Sequence, residues 1–192
     1  IKNIISSVLS SIVMGAVLAI IVLALFLKDV RPTIVVAFSI PFSVLFALVI
    51  MYFTGININV MSLAGLCLGI GMLVDNSVVV MENIYRLRSK GLSSPRAAVQ
   101  GTKQVLGPII ASTITTICVF LPMVYTSGTV SQMLIPFSFT ISYSLIASLL
   151  VAITVVPTMG SIMLKKVKNS KHKLFDKIKD AYGTSLEFFL KH

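Results

Sequence analysis

The chain has 192 residues, 56% of them apolar and only 11% charged, with a mean hydropathy of +0.99, whereas an ordinary soluble domain is about one quarter charged. No charge falls in residues 3–27, 32–74 or 104–164, which excludes a water-soluble globule and points to a polytopic membrane protein. The net charge of +10 would suggest a nucleic-acid partner in a soluble protein, but the basic residues sort by segment along the chain and not onto one face, so no nucleic acid is expected.

Hydrophobic runs separated by polar or charged breaks predict five membrane-spanning helices, at about 4–27, 33–53, 59–84, 105–126 and 134–164, so that residues 1–164 form an all-α transmembrane bundle. The first run ends at Lys28-Asp29-Val30-Arg31, the third is followed by Arg86, Arg88, Lys90, Arg96 and Lys103, and the fifth by Lys165, Lys166, Lys168, Lys171, Lys173, Lys177 and Lys179. Fourteen of the 16 basic residues therefore lie in alternate connections, while Thr54 to Asn59 and Tyr125 to Met133 carry no charge. By the positive-inside rule the basic connections are cytoplasmic, and the first helix enters from outside. A chain that starts externally at Ile1, without a cleavable basic leader, is expected to be part of a longer protein with at least one preceding span.

Pro32 suits the first turn of the second span, while Pro41, Pro108, Pro122 and Pro157 would kink helices whose neighbours re-satisfy the freed backbone. The fourth and fifth spans carry many hydroxyls, from Ser112, Thr113, Thr115 and Thr116 to Ser138, Thr140, Ser142, Ser144 and Ser148. Such small side chains serve close helix packing, and a minority could line a water path. Cys67 and Cys118 stand in apolar runs without metal or redox spacing and read as buried small hydrophobes. Beyond the fifth span, residues 165–192 turn basic, and Leu174, Phe175, Ile178, Tyr182, Leu186 and Phe189 recur at helical spacing. That pattern predicts an amphipathic helix on the inner membrane surface, in contact with lipid.

The third span holds the residues that could carry chemistry. Asp75 lies within it, to the cytoplasmic side of its middle. A carboxylate at such depth costs about 2.5 to 3.5 kcal/mol on insertion scales, so it needs a partner, a water-filled cavity or a proton. No cation occurs inside any of the five runs, so a partner must come from helices this chain lacks. A carboxyl that alternately meets an apolar environment, which favours its neutral form, and a cation, which favours the carboxylate, can load and release a proton. Asn76 beside it can hydrogen-bond but not titrate. Glu82 returns to the face of Asp75 about 10 Å further along, where an i+4 pair with Arg86 is the plainer expectation. Gly65 and Gly69 form a small-xxx-small pair and Gly71 precedes Asp75 by one turn, which suggests close helix approach around the acid. No nucleophile–base pair, phosphate loop or metal-ligand spacing appears, so neither an enzyme nor a cofactor or metal site is expected.

The run Gly69-Ile-Gly-Met-Leu-Val-Asp75-Asn-Ser-Val-Val-Val-Met-Glu82-Asn83-Ile resembles the fourth transmembrane helix of resistance-nodulation-division (RND) exporters, in particular their hydrophobic and amphiphilic multidrug efflux branch. Phe26-Leu-Lys-Asp-Val-Arg31, Gly91-Leu-Ser-Ser-Pro-Arg-Ala-Ala98, Val119-Phe-Leu-Pro-Met123 and Thr154-Val-Val-Pro157 fall in the family's order, so the resemblance runs from its second helix through its sixth to the basic interfacial helix. It implies a proton-driven exporter in the cytoplasmic (inner) membrane, built as a homotrimer of much longer protomers, and it allows a periplasmic adaptor as partner. Asp75 matches the family's first relay aspartate, and Asn76 stands where many relatives have a second. The family's lysine partner belongs to the second half of the membrane domain. A protein-translocation subunit of the SecD/SecF type, or a membrane scaffold held together by Asp75, remains as the alternative.

Overall fold

The computed structural model describes residues 30–128 and 130–164, together with positions 10, 14–15, 17–18 and 20–21, which are helical. The first predicted span is described only at those scattered positions, and the basic segment 165–192 lies outside the described residues. Four long helices follow one another: α1 (Val30–Thr54), α2 (Val60–Ser89), α3 (Ser94–Phe120) and α4 (Ser131–Met163). The five residues Leu121–Tyr125 prolong α3 as a tighter 3-10 turn. There is no strand among the described residues, and all four helices are long and apolar enough to cross a membrane. The chain is a multi-pass, all-α membrane protein.

Local chemistry sets the helix ends. Asn59 caps α2 through a reciprocal pair, its Oδ1 accepting the Ser62 N–H at 2.8 Å while Ser62 Oγ accepts the Asn59 N–H at 2.8 Å. At the other end Gly91, at φ +98, lets the chain reverse. The Gly91 N–H bonds Arg88 O at 3.1 Å and the Leu92 N–H bonds Leu87 O at 3.4 Å, the Schellman pattern. Ser93 then caps α3 with extended backbone, and a proline occupies its first turn. The connection between α2 and α3 is thus only Lys90 to Ser93, and Arg96 and Lys103 stand on α3 itself. Hydropathy detects only the part of α3 suited to hydrocarbon, which starts at about residue 105. Pro122 does not kink an α-helix, because α3 has already passed into the 3-10 turn that contains it.

α4 packs against each of the other three helices. Its buried face interleaves small residues, among them Ser138, Ala147, Ser148, Ala152 and Gly160, with Ile141, Leu145, Val151 and Val156, and the small ones let backbones approach. The outer face is largely apolar. On α1, Phe38, Phe42, Leu45, Phe46, Val49 and Phe53 are exposed, whereas Ser39, Ser43 and Ala47 are buried. Val35, Val36, Ile40 and Met51 are buried with them, and the large apolar groups left outside suit a helix whose surroundings are lipid. Cys118 belongs to the outer face: it is exposed and Cys67 is only half-buried, against the expectation that both are buried. For Cys118 the reason is that α3 is the least covered of the four helices.

Candidate functional site

Asp75 is the sixteenth of the 30 residues of α2. It belongs to a stripe of exposed positions, Ala64, Leu68, Gly71, Asp75, Val79, Glu82 and Arg86, that recur every three or four residues along one side of the helix. The opposite side is turned into the bundle. A Cβ placed on Gly65 would lie 2.8 Å from Phe137 O, and one on Gly69 would lie 2.7 Å from Ser144 Cβ. Gly65 and Gly69 are therefore the points where α2 meets α4 too closely for any side chain. Gly71 has no atom within 4 Å of such a Cβ and lies on the uncovered stripe with Asp75.

Asn76, next in sequence, diverges from Asp75 and is buried. Its Nδ2 donates to Thr113 Oγ1 of α3 at 3.3 Å. Asp75 and Asn76 border a small cavity of about 100 Å³, lined further by Met72 of α2, Ser112, Thr113 and Thr116 of α3, and Leu145 of α4. The Ser112 and Thr116 hydroxyls donate to backbone carbonyls within α3, to Ile109 O at 3.0 Å and Ser112 O at 2.9 Å, which leaves their lone pairs as acceptors. No cation comes within 4.0 Å of the Asp75 carboxylate among the described residues. The arrangement sets the Asp75 carboxyl beside a pocket of hydroxyls and an amide. Hydrogen bonding separates these hydroxyls from two on α4. Ser138 and Ser144 are buried with no hydrogen-bond partner for their Oγ among the described residues, so they act as small side chains at the α4 contacts.

Glu82 is exposed on the same stripe, and the expected pair with Arg86 does not form. Arg86 is engaged elsewhere: its Nη2 donates to Asn83 Oδ1 at 2.6 Å. Asn83 is a residue whose part in the packing the sequence did not reveal. Buried, it also donates from Nδ2 to Gly101 O at 2.7 Å and to Gln104 Oε1 at 3.1 Å, tying α2 to α3 where a Cβ on Gly101 would meet Ile84 at 2.9 Å. The seven-residue spacing of Asn76 and Asn83, which puts both amides on one side of the helix, was the available signal. A second tie lies nearby. Arg88 Nε and Ser94 Oγ both donate to Leu164 O, at 3.0 and 2.8 Å, and fasten the end of α4 to the α2–α3 hairpin.

Residues 1–192 match the AcrB/AcrD/AcrF family model. The swarming motility protein SwrC of Bacillus subtilis (strain 168) is 36% identical over 197 residues, covering 98% of this chain and 19% of that protein. The multidrug resistance protein MdtC is 33% identical over 189 residues in both Escherichia coli (strain K12) and Citrobacter koseri, covering 95% of this chain and 18% of each relative. The chain thus spans about a fifth of the length of these curated relatives.

Proposed function

The chain belongs to the AcrB/AcrD/AcrF family, within the RND transporters, and on that premise we propose that it forms part of the membrane domain of a proton-driven exporter in which Asp75 carries the proton. One observation supports this reading above the others. An acidic side chain stands midway along an apolar helix, on a side that the four described helices leave uncovered, with no cation in reach among the described residues. A carboxylate facing lipid there would be disfavoured by about 2.5 to 3.5 kcal/mol. The uncovered stripe therefore calls for further protein, and a basic group presented from it would alternate with a proton as the partner of Asp75.

Each state follows from elementary electrostatics. Against a cation the carboxylate form is stable; when the cation withdraws, the desolvated carboxyl takes up a proton and becomes neutral. A proton that enters from outside and leaves inside across about 100 mV supplies about 2.3 kcal/mol, besides any pH-gradient contribution. Asn76 holds α2 to α3 through Thr113 and keeps the neighbouring cavity polar without adding a second charge. Gly65 and Gly69 bring α2 into close contact with α4, through which a change of charge at Asp75 would be passed to α4.

The exported compounds are drugs or other amphiphiles, in keeping with the multidrug resistance named for MdtC. The basic connections face the cytoplasm, the protein resides in the inner membrane, and it assembles as a homotrimer with the remaining parts of the transporter, with a periplasmic adaptor where the envelope provides one. It has no enzymatic chemistry of its own.

The test is Asp75→Asn in the full-length transporter, scored for efflux from cells alongside abundance in the membrane. Loss of efflux at unchanged abundance is expected. Unchanged efflux would refute the role of Asp75, and loss of abundance together with efflux would point to an acid that only holds helices together.

A further inference from the structure

The small cavity beside Asp75 extends to one side only. Met72 precedes Asp75 by three residues on α2, and Thr116 follows Thr113 by three residues on α3. Both steps lead toward the same end of the bundle, that of the uncharged connections after Thr54 and Tyr125. In the other direction the seam between α2 and α3 is filled. Val80, Ile84 and Ile109 are buried, a Cβ on Gly101 would meet Ile84 at 2.9 Å, and Asn83 bonds Gly101 O and Gln104.

Acceptors dominate its polar lining. The Ser112 and Thr116 hydroxyl protons are directed to carbonyls of their own helix, so their oxygens face outward as acceptors. Asn76 is buried with its Nδ2 committed to Thr113, and no donor reaches its Oδ1 among the described residues. The Asp75 carboxylate accepts only. Such a lining suits an occupant that donates hydrogen bonds, and water is the smallest one. A cavity of about 100 Å³ has room for several, because one water needs only about 10 to 15 Å³ of such space. A hydronium, with three protons to donate, is served by the same acceptors. Asp75 is also the one titratable group on the lining: Arg31 and Tyr52 of α1, Arg96, Lys103 and Cys118 of α3, and Tyr143 of α4 all stand away from it. On α2 itself Glu82 is the nearest other acid, seven residues further on.

We propose that Ser112 and Thr116 are proton-entry residues, which hold a short file of water in this cavity and through it deliver protons from the external side to Asp75. The proposal rests on the reading of Asp75 as proton carrier and on the orientation given above. The last transfer breaks one O–H bond of a hydronium, makes one on a carboxylate oxygen of Asp75 and leaves neutral water behind. Asn76 lines the route without competing for the proton, because an amide does not titrate. The packed seam on the other side keeps the same water from continuing between α2 and α3 to the basic connections, so entry and release use different paths.

The experiment measures substrate-driven proton flux into proteoliposomes of the full-length transporter, in sodium-free buffer over a series of external pH values. Ser112→Ala combined with Thr116→Val removes both acceptors with little change of shape. Flux at neutral external pH should fall about tenfold, the equivalent of one to two hydrogen bonds to a held water. Acidifying the outside should restore it, because a higher proton concentration offsets slower delivery. Thr116→Ser, which keeps the acceptor, should rescue flux at neutral pH. If the double variant fails to assemble, Ser112→Ala alone, at an exposed position, must show the same shift toward acid. Normal flux in these variants, a loss equal at every external pH, or recovery by added sodium in place of acid would each overturn the proposal. Its failure is separable from that of the Asp75 reading: Asp75→Asn without flux beside a fully active double variant refutes water entry here alone, whereas flux through Asp75→Asn removes the carrier and this proposal with it.

Discussion

At Gly69 the α2 and α4 helices are so close that a single methyl group decides the packing. An alanine there would put its Cβ 2.7 Å from Ser144 Cβ, and overpacking of this kind costs about 1 to 3 kcal/mol. Gly69→Ala should therefore lower the melting temperature of the purified transporter. Gly107→Ala, where no atom lies within 4 Å of the new Cβ, should leave it unchanged, and equal behaviour of the two variants would contradict the close contact. Asn76 gives a second residue-scale prediction. Because the Thr113 hydroxyl can donate as well as accept, Asn76→Asp can keep a hydrogen bond across to α3. Asn76→Leu cannot, and leaves Thr113 Oγ1 without that donor, at a cost of about 1 to 3 kcal/mol. Thermal unfolding in detergent should rank Asp above Leu at this position. The glycine pair was legible in the sequence because small residues four apart mark a helix contact, but the helix it meets was not. Thr113 lies 37 residues from Asn76, and only tertiary packing brings them together. Glu82 and Arg86 show the converse, a correct local spacing overruled because Asn83 takes the guanidinium.

The α2–α3 hairpin is the element whose extent hydropathy could not convey. Apolar runs mark the stretches fit for hydrocarbon, and α3 begins at Ser94, well before its apolar run. Its true start was written in turn chemistry, in Gly91 and in the Ser93-Ser94-Pro95 that follows, and not in the charges of Arg96 and Lys103. Asn83 holds the two arms together with bonds to Gly101 O, Gln104 and Arg86. Asn83→Ala leaves a buried carbonyl and a guanidinium without those partners, and destabilisation by about 1 to 3 kcal/mol is expected. Faster amide hydrogen exchange in both arms of the hairpin, with α1 unaffected, would be its signature; uniform exchange in all helices would contradict a local tie. Gly91→Ala should be destabilising by about 1 kcal/mol, because φ +98 is open to glycine and strained for alanine.

At the scale of the molecule, the four described helices expose many aromatic and branched apolar side chains, among them Phe38, Phe42, Leu45, Ile114 and Val119, as suits lipid surroundings. The uneven charge that first excluded a soluble globule also makes a topological prediction. In a background with Cys67 and Cys118 replaced, Asn57→Cys should react with a membrane-impermeant maleimide added outside intact cells, whereas Lys90→Cys should react only after the membrane is opened. The reverse pattern would invert the proposed orientation. The all-α class and the four described long helices were readable because hydrophobic length is dictated by the bilayer. The face of α2 that carries Asp75 was readable only as a periodicity, and its being uncovered by α1, α3 and α4 is a property of the folded bundle. The measurement that bears most directly on a proton-carrying Asp75 is substrate-dependent proton flux in proteoliposomes containing the full-length transporter, followed with a trapped pH dye under an imposed pH gradient. Wild type should conduct protons when substrate is added and Asp75→Asn, reconstituted to the same density, should not; undiminished flux through Asp75→Asn would show that the proton takes another path.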